Sequence, residues 1–181
     1  MAGALELLPG GGQEARSRAL TVVTAPRLDA APSRWLTLRP PSLAFALTIA
    51  ALALHALVLG AAVPWAQSVP LGIVLSAAGF GWMGWAHAML RRAGTPVPPI
   101  AMPRVLVDEG PYRFGRNPIY LGMVVMMLGI GVAAGVPLMA IAAANFVAIV
   151  ASVHIPHEEA NMRRTFGGWY SDYAASVRRW I

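Results

Sequence analysis

The sequence contains no cysteine and no lysine. The absence of cysteine excludes disulfides, thiolate metal sites and cysteine nucleophiles. All 14 basic residues are therefore arginines. Charge is scarce as well, because charged residues make up 12% of the chain, whereas ordinary soluble domains carry about 25%. Together with 57% apolar residues, this composition indicates a membrane protein rather than a soluble one.

Two long stretches have no charged residue at all, from Pro40 to Leu90 and from Asn117 to His157. A membrane-spanning helix needs about 20 apolar residues, so each stretch is long enough for two spans. Proline and glycine mark the tight turns between them. The sequence therefore predicts an all-α, polytopic membrane protein with four or five transmembrane helices and a C-terminal helical segment at the membrane surface. The four main spans are expected at 42–63, 69–89, 119–135 and 136–153.

The arginines lie before the first expected span, between the second and third, and after the fourth, and the two hairpin turns have none. The positive-inside rule then predicts cytoplasmic termini. This asymmetry explains the pI of about 11, so membrane lipids rather than nucleic acid are the expected partners. All-arginine usage and short loops suggest a bacterial inner-membrane protein. Residues 1–39 are expected to form a disordered tail, and residues 40–181 the membrane domain.

The first polar segment runs from Gly110 to Gly122 and reads GPYRFGRNPIYLG. Pro118 disfavours helix at the residue before it and suits the first turn of a helix that follows. Asn117 is then expected to cap that helix with its side-chain oxygen. A polar, positively charged entry into an apolar helix is a natural place for an anionic group.

The second polar segment follows the fourth span. Glu158 and Glu159 are expected to begin a helix that Gly167-Gly168 ends, before a second short helix. His154 and His157 could suggest a metal site, but Pro156 lies between them and the sequence offers no third ligand. No metal site is therefore predicted.

Together the two segments resemble the isoprenylcysteine carboxyl methyltransferase and phospholipid methyltransferase superfamily of integral-membrane enzymes. The first segment resembles the motif Gly-Pro-Tyr-Arg…Arg-His-Pro-x-Tyr-x-Gly. The second resembles Glu-Glu-x-x-Leu…Phe-Gly-x-x-Tyr-x-x-Tyr…Val-x-Arg-Trp, and here it reads Glu158-Glu159, Met162, Phe166-Gly167, Tyr170, Tyr173, Val177 and Arg179-Trp180. The resemblance covers roughly Gly110 to Ile181. It departs at Asn117, where the family usually has histidine, because asparagine cannot act as a cation or a general base near neutral pH.

The resemblance implies an S-adenosylmethionine-dependent membrane methyltransferase with a hydrophobic or lipid-like acceptor that enters from the bilayer. The expected activity is isoprenylcysteine carboxyl methyltransferase-like, with a prenylated thiol compound carrying a carboxylate as acceptor. The alternatives are a phospholipid N-methyltransferase acting on a phosphatidylethanolamine-type amine and a small-thiol S-methyltransferase. An alternative from another class is a non-catalytic membrane protein of the same fold.

The resemblance also implies a set of site residues. Arg116 and Glu159 are expected to be catalytic. One of Glu158 and Glu159 is expected to bond the ribose or the ammonium of the cofactor, and the other to pair with Arg113 or Arg116. The cofactor-binding residues are expected to be Tyr112, Arg113, Arg116, Asn117, Pro118, Tyr120, Glu158, Glu159, Tyr170 and Tyr173.

Overall fold

The computed structural model describes residues 39–60, 62–94 and 105–181, and these ranges contain helices but no strand. The expected all-α class is therefore confirmed for this part of the chain. The expected disordered tail lies outside the described residues, apart from Arg39. The helices are α1 (Pro40–Val58), α2 (Val69–Arg92), α3 (Pro118–Ala134), α4 (Leu138–Ile149), α5 (Ile155–Phe166) and α6 (Gly168–Ser176), with 3₁₀ turns at Pro64–Ala66 and Gly110–Arg113 and a π-helical turn at Val150–His154.

Three helices are long and apolar enough to cross a membrane: α1, α2 and the continuous helix Leu138–Phe166. Helix α3 is also apolar, and its 17 residues lie at the short end of the range for a span. The expected first span reached residue 63, whereas α1 ends at Val58. The difference arises because Gly60 has a φ of 72°, a left-handed conformation that stops a helix.

Helix α1 presents one face to the protein and the rest to its surroundings. Ala44, Thr48, Ala51 and His55 are buried and follow one another at intervals of three or four residues. The Thr48 hydroxyl donates a hydrogen bond to the Ala44 carbonyl at 2.8 Å, which satisfies it within the helix. Large apolar side chains cover the opposite face and remain exposed, as expected of a surface that lies against lipid.

Glycines allow α2 and α3 to pack with their backbones almost in contact. A Cβ at Gly79 would lie 2.6 Å from the Gly122 carbonyl oxygen and from the Met126 nitrogen. A Cβ at Gly129 would lie 2.5 Å from the Ser76 nitrogen. Since apolar burial gives little driving force inside lipid, close backbone approach through small residues is what holds such helices together.

The second polar segment is connected to the preceding membrane helix differently from what the sequence suggests. Glu158 and Glu159 do not begin a separate helix, because α4 runs through the π-helical turn into α5 without a break. A π turn holds one extra residue, and it accommodates Pro156, which lacks an N–H, in the first turn of α5. The expected end at Gly167 is confirmed, since Gly167 has a φ of 56° and separates α5 from α6.

Candidate functional site

The polar side chains of both segments gather at one end of the helix bundle. The 3₁₀ turn at Gly110–Arg113 and the start of α3 lie on one side, and α5, α6 and the C-terminal residues lie on the other. Between them is a cavity of about 60 Å³. It is lined by Leu90, Val105, Val107, Tyr112, Arg116, Asn117, Glu158, Glu159, Met162, Tyr170 and Tyr173.

Glu159 is the centre of a network of three arginines. Its carboxylate lies 3.2 Å from the Arg116 guanidinium and 3.4 Å from that of Arg163. Arg179 donates two hydrogen bonds to it, at 3.1 Å from Nε and 3.0 Å from Nη2, which is the bidentate arrangement that binds carboxylates most strongly. The side chains of Glu159 and Arg116 are 7% and 12% exposed, whereas those of Arg163 and Arg179 are about half exposed.

Glu158 has different surroundings from its neighbour. Its carboxylate accepts a hydrogen bond from the hydroxyl of Tyr120 on α3. The ion pairs found among the described residues all involve Glu159 and none involves Glu158. Two adjacent residues on a helix point about 100° apart, which explains how one carboxylate meets the arginines while the other meets α3. Glu158 therefore offers the cavity an acceptor that no arginine neutralises.

Asn117 precedes α3 as predicted, but the predicted cap is wrong. Its side chain makes no hydrogen bond to the N–H groups of the helix. The Asn117 Nδ2 instead donates to the backbone carbonyl of Arg179 at 2.8 Å. The asparagine therefore joins the turn before α3 to the C-terminal residues.

Tyrosines form a third part of the site. The hydroxyl of Tyr173 donates to the Tyr112 backbone carbonyl at 2.8 Å. Burial raises the pKa of both Tyr112 and Tyr173 well above the ordinary value, so both hydroxyls keep their protons at neutral pH. Tyr170 packs against Tyr173, and the Arg163 guanidinium lies 5.7 Å from the Tyr170 ring centroid. This distance is within the range of a cation–π interaction.

Two polar atoms at the cavity have no hydrogen-bond partner among the described residues. They are the hydroxyl of Tyr112 and the Nε of Arg116, and both are buried. Buried polar groups in native proteins are nearly always satisfied, so an unsatisfied pair beside one cavity indicates a place for a polar ligand.

The structure brings most of the predicted site residues together. Seven of the ten line the cavity. Of the other three, Tyr120 lies behind Glu158, Pro118 is buried at the start of α3, and Arg113 is exposed and does not line the cavity. The predicted pairing of one glutamate with Arg113 or Arg116 takes the form of the Arg116–Glu159 ion pair.

Sequence reasoning missed five residues of the site. Arg179 was part of the motif, but it was not expected to bind the buried carboxylate. The apolar lining was also missed: Met162 lies in the second motif but was not expected to line the site, and no pattern in the sequence points to the other three residues. These apolar residues are Leu90, Val105, Val107 and Met162. Across the three described ranges, no cluster of three or more His, Asp or Glu side chains could hold a metal ion.

The phospholipid methyltransferase (PEMT) family profile matches residues 68–168, which is more than half of the chain. The match begins just before α2 and ends at the start of α6, so it covers the α2–α3 pair and both glutamates. It includes α2, where the sequence motifs gave no signal. No curated protein and no solved structure shows significant similarity to the chain.

Proposed function

Since the chain belongs to the phospholipid methyltransferase family, and is thus a membrane methyltransferase, we propose that it transfers a methyl group from S-adenosylmethionine to a hydrophobic or lipid-like acceptor. The observation that carries this proposal is the cavity at the charged end of the bundle. Its lining includes the Nε of Arg116 and the hydroxyl of Tyr112, which have no partner among the described residues. It also includes the carboxylate of Glu158, which forms no ion pair among those residues.

The chemistry of these residues suits S-adenosylmethionine. The cofactor carries a carboxylate, an ammonium, a ribose and an adenine. Arg116 and Tyr112 would hold the carboxylate, because they offer hydrogen-bond donors without a partner and, in Arg116, a positive charge. Glu158 would accept from the ammonium or the ribose hydroxyls. The apolar lining, with the rings of Tyr170 and Tyr173, would surround the adenine.

The cofactor supplies a sulfonium-bound methyl group that an acceptor nucleophile can attack in line. The protein has to orient the reactants and exclude water, and these effects account for much of the rate of such displacements. Arg116 and Glu159 are the residues that we propose to be most important. Glu159 holds the Arg116 guanidinium at 3.2 Å, and the buried Nε of Arg116, which lines the cavity, has no partner among the described residues.

The size of the cavity implies that the site opens to admit its ligand. Its volume is about 60 Å³, whereas pockets for small molecules usually measure roughly 300–1,000 Å³. Helix α6 contributes Tyr170 and Tyr173 to the lining. We expect α6 to withdraw when the cofactor enters and to close over it afterwards, which would also exclude water.

The acceptor is proposed to reach the site from the bilayer. The family favours a phospholipid with an amine headgroup, and a prenylated thiol compound with a carboxylate or a small thiol is the alternative. An amine suits the cavity because Glu158 provides a carboxylate without an arginine partner among the described residues. By the positive-inside rule, the arginine-rich end would face the cytoplasm, and a bacterial inner membrane is the proposed location.

Isothermal titration of S-adenosylmethionine and its demethylated product into the detergent-purified protein tests the cofactor. We expect saturable binding that Arg116→Ala abolishes or strongly weakens. Arg92→Ala is the matched control, since it removes an exposed arginine from the same end of the bundle but outside the cavity. The absence of binding by folded wild-type protein would contradict the proposal.

A transfer assay then identifies the acceptor. The labelled methyl donor is mixed with the protein in vesicles that contain phosphatidylethanolamine, a prenylated cysteine or a small alkyl thiol. We expect label in the phospholipid. Transfer to the prenylated cysteine or to the thiol alone would support the alternative acceptors, and binding without transfer to any of them would support a non-catalytic protein of the same fold.

A further inference from the structure

The last five residues of the chain, 177–181, lie along the turn that precedes α3, and we refer to them as the C-terminal tail. Val177 leaves α6 in an extended conformation, with φ −117° and ψ 130°. The backbone N–H of Arg116 donates to the Arg178 carbonyl at 2.9 Å. Trp180 packs against the hydrophobic core of the bundle, so the tail is held from both sides.

Two residues of the turn, Gly115 and Asn117, contact the tail directly. Gly115 leaves no space for a side chain, because a Cβ there would collide with the Trp180 carbonyl oxygen. Asn117 is buried, and its Nδ2 donates to the Arg179 carbonyl at 2.8 Å. The backbone bond from Arg116 to the tail would form with almost any residue at 117, whereas the bond from the side chain needs a donor of this length.

The tail in turn supplies Arg179 to the site. Its guanidinium is bidentate on Glu159, and Glu159 fixes Arg116 at the cavity. The carbonyl that Asn117 binds and the guanidinium that binds Glu159 belong to the same residue. A side chain at 117 that released this carbonyl would therefore loosen the residue whose guanidinium binds Glu159.

We propose that Asn117 is a positioning residue that fastens the C-terminal tail to the turn before α3 and so holds Arg179 on Glu159 at the ligand cavity. The asparagine acts through the tail and not as an acid or a base. The link to ligand binding rests on the proposed function, whereas the fastening itself does not.

The test measures hydrogen exchange and ligand affinity in the full chain in detergent. The Arg116 amide reports on the tail directly, since its acceptor is Arg178. Asn117→Asp keeps the size of the side chain and replaces the donor with a carboxylate. We expect faster exchange in the peptides around Arg116 and Trp180, and roughly three- to tenfold weaker binding of the demethylated cofactor, as for the loss of one hydrogen bond. Asn117→His keeps a ring N–H donor, so both the exchange rate and the ligand affinity should stay close to the wild-type values.

Two further variants separate the displacement of the tail from the effect of an added negative charge. Gly115→Ala displaces the tail sterically without changing a polar group, and it should reproduce both effects of Asn117→Asp. Asn161→Asp adds the same charge in α5 but keeps the oxygen that accepts from Arg164, so exchange in the tail should stay at the wild-type rate. Unchanged exchange in Asn117→Asp would overturn the fastening.

Faster exchange with wild-type affinity in both Asn117→Asp and Gly115→Ala would overturn the link to the ligand. A wild-type protein that binds no cofactor would overturn the proposed function and that link together. The exchange data would still decide whether Asn117 fastens the tail.

Discussion

Replacing Glu159 with glutamine should destabilise the protein, and the structure indicates by how much. The carboxylate is 7% exposed and contacts three guanidinium groups. Arg163 and Arg179 are about half exposed, so the loss of either ion pair costs about 0–1 kcal/mol. Arg116 is 12% exposed and would become a nearly buried cation without a counter-ion, which costs about 3–5 kcal/mol. Glutamine keeps one oxygen acceptor, so we expect a total loss near the lower end, at about 3 kcal/mol.

The free energy of unfolding in mixed micelles, measured by denaturant titration, tests this expectation. Glu158→Gln is the matched control, because Glu158 has no ion pair among the described residues and accepts from the neutral Tyr120 hydroxyl. Its stability should fall by less than about 1 kcal/mol, while its affinity for the cofactor falls. Equal losses of stability in the two variants would refute this distinction between the neighbouring glutamates.

A double-mutant cycle tests whether the loss of stability comes from an unpaired Arg116. If the penalty comes from an unpaired Arg116, then Arg116→Met in the Glu159→Gln background should restore much of the stability, since replacement of both members of a buried ion pair is often nearly neutral. We expect a coupling energy of about 2 kcal/mol or more between the two sites, within the range for residues in contact. Additive losses would mean that Glu159 stabilises the protein through the exposed arginines, contrary to the reasoning from burial.

Three other predictions follow from particular contacts. Arg116→Ala should lose more cofactor affinity in calorimetry than Arg113→Ala, because only Arg116 lines the cavity, and equal losses would contradict this. Burial raises the pKa of Tyr173, so the folded state keeps a proton that the unfolded state releases above pH about 10. Stability should therefore fall as the pH rises above that value, and less steeply in Tyr173→Phe. Gly79→Ala should cost about 1–3 kcal/mol in denaturant titration because its Cβ would meet the backbone of α3. Gly81→Ala, whose Cβ meets nothing within 4 Å, should be neutral or stabilising.

The sequence predicts the membrane helices because their signal is local. Each uncharged stretch is longer than one span, and the glycine and proline residues that divide it act on the backbone where they stand. Gly135 illustrates this point, since its φ of 67° ends α3 at the turn that the sequence predicts. The expected ends of the first and fourth spans differ from the ends of α1 and α4, because apolar residues continue past Val58 and through the π-helical turn. Hydropathy alone therefore does not mark where the helical hydrogen bonding changes.

Which residues form the site was largely predictable from the sequence, but which of them contact one another was not. The motifs bring Arg116, Asn117 and both glutamates to one end of the bundle, whatever their exact orientation. Which glutamate meets the arginines depends on the π-helical turn at Val150–His154. Its one extra residue shifts the direction of every later side chain by about 100° from the direction extrapolated along α4. Extrapolating the face of α4 across residues 150–154 would therefore assign Glu158 and Glu159 to the wrong directions. Deleting the extra residue would leave a regular helix with Glu159 still facing Arg116, whereas a variant with one residue inserted after His154 should rotate Glu159 away from Arg116 by about 100°. If binding is retained in such a variant, the orientation of the two carboxylates is not what defines the site.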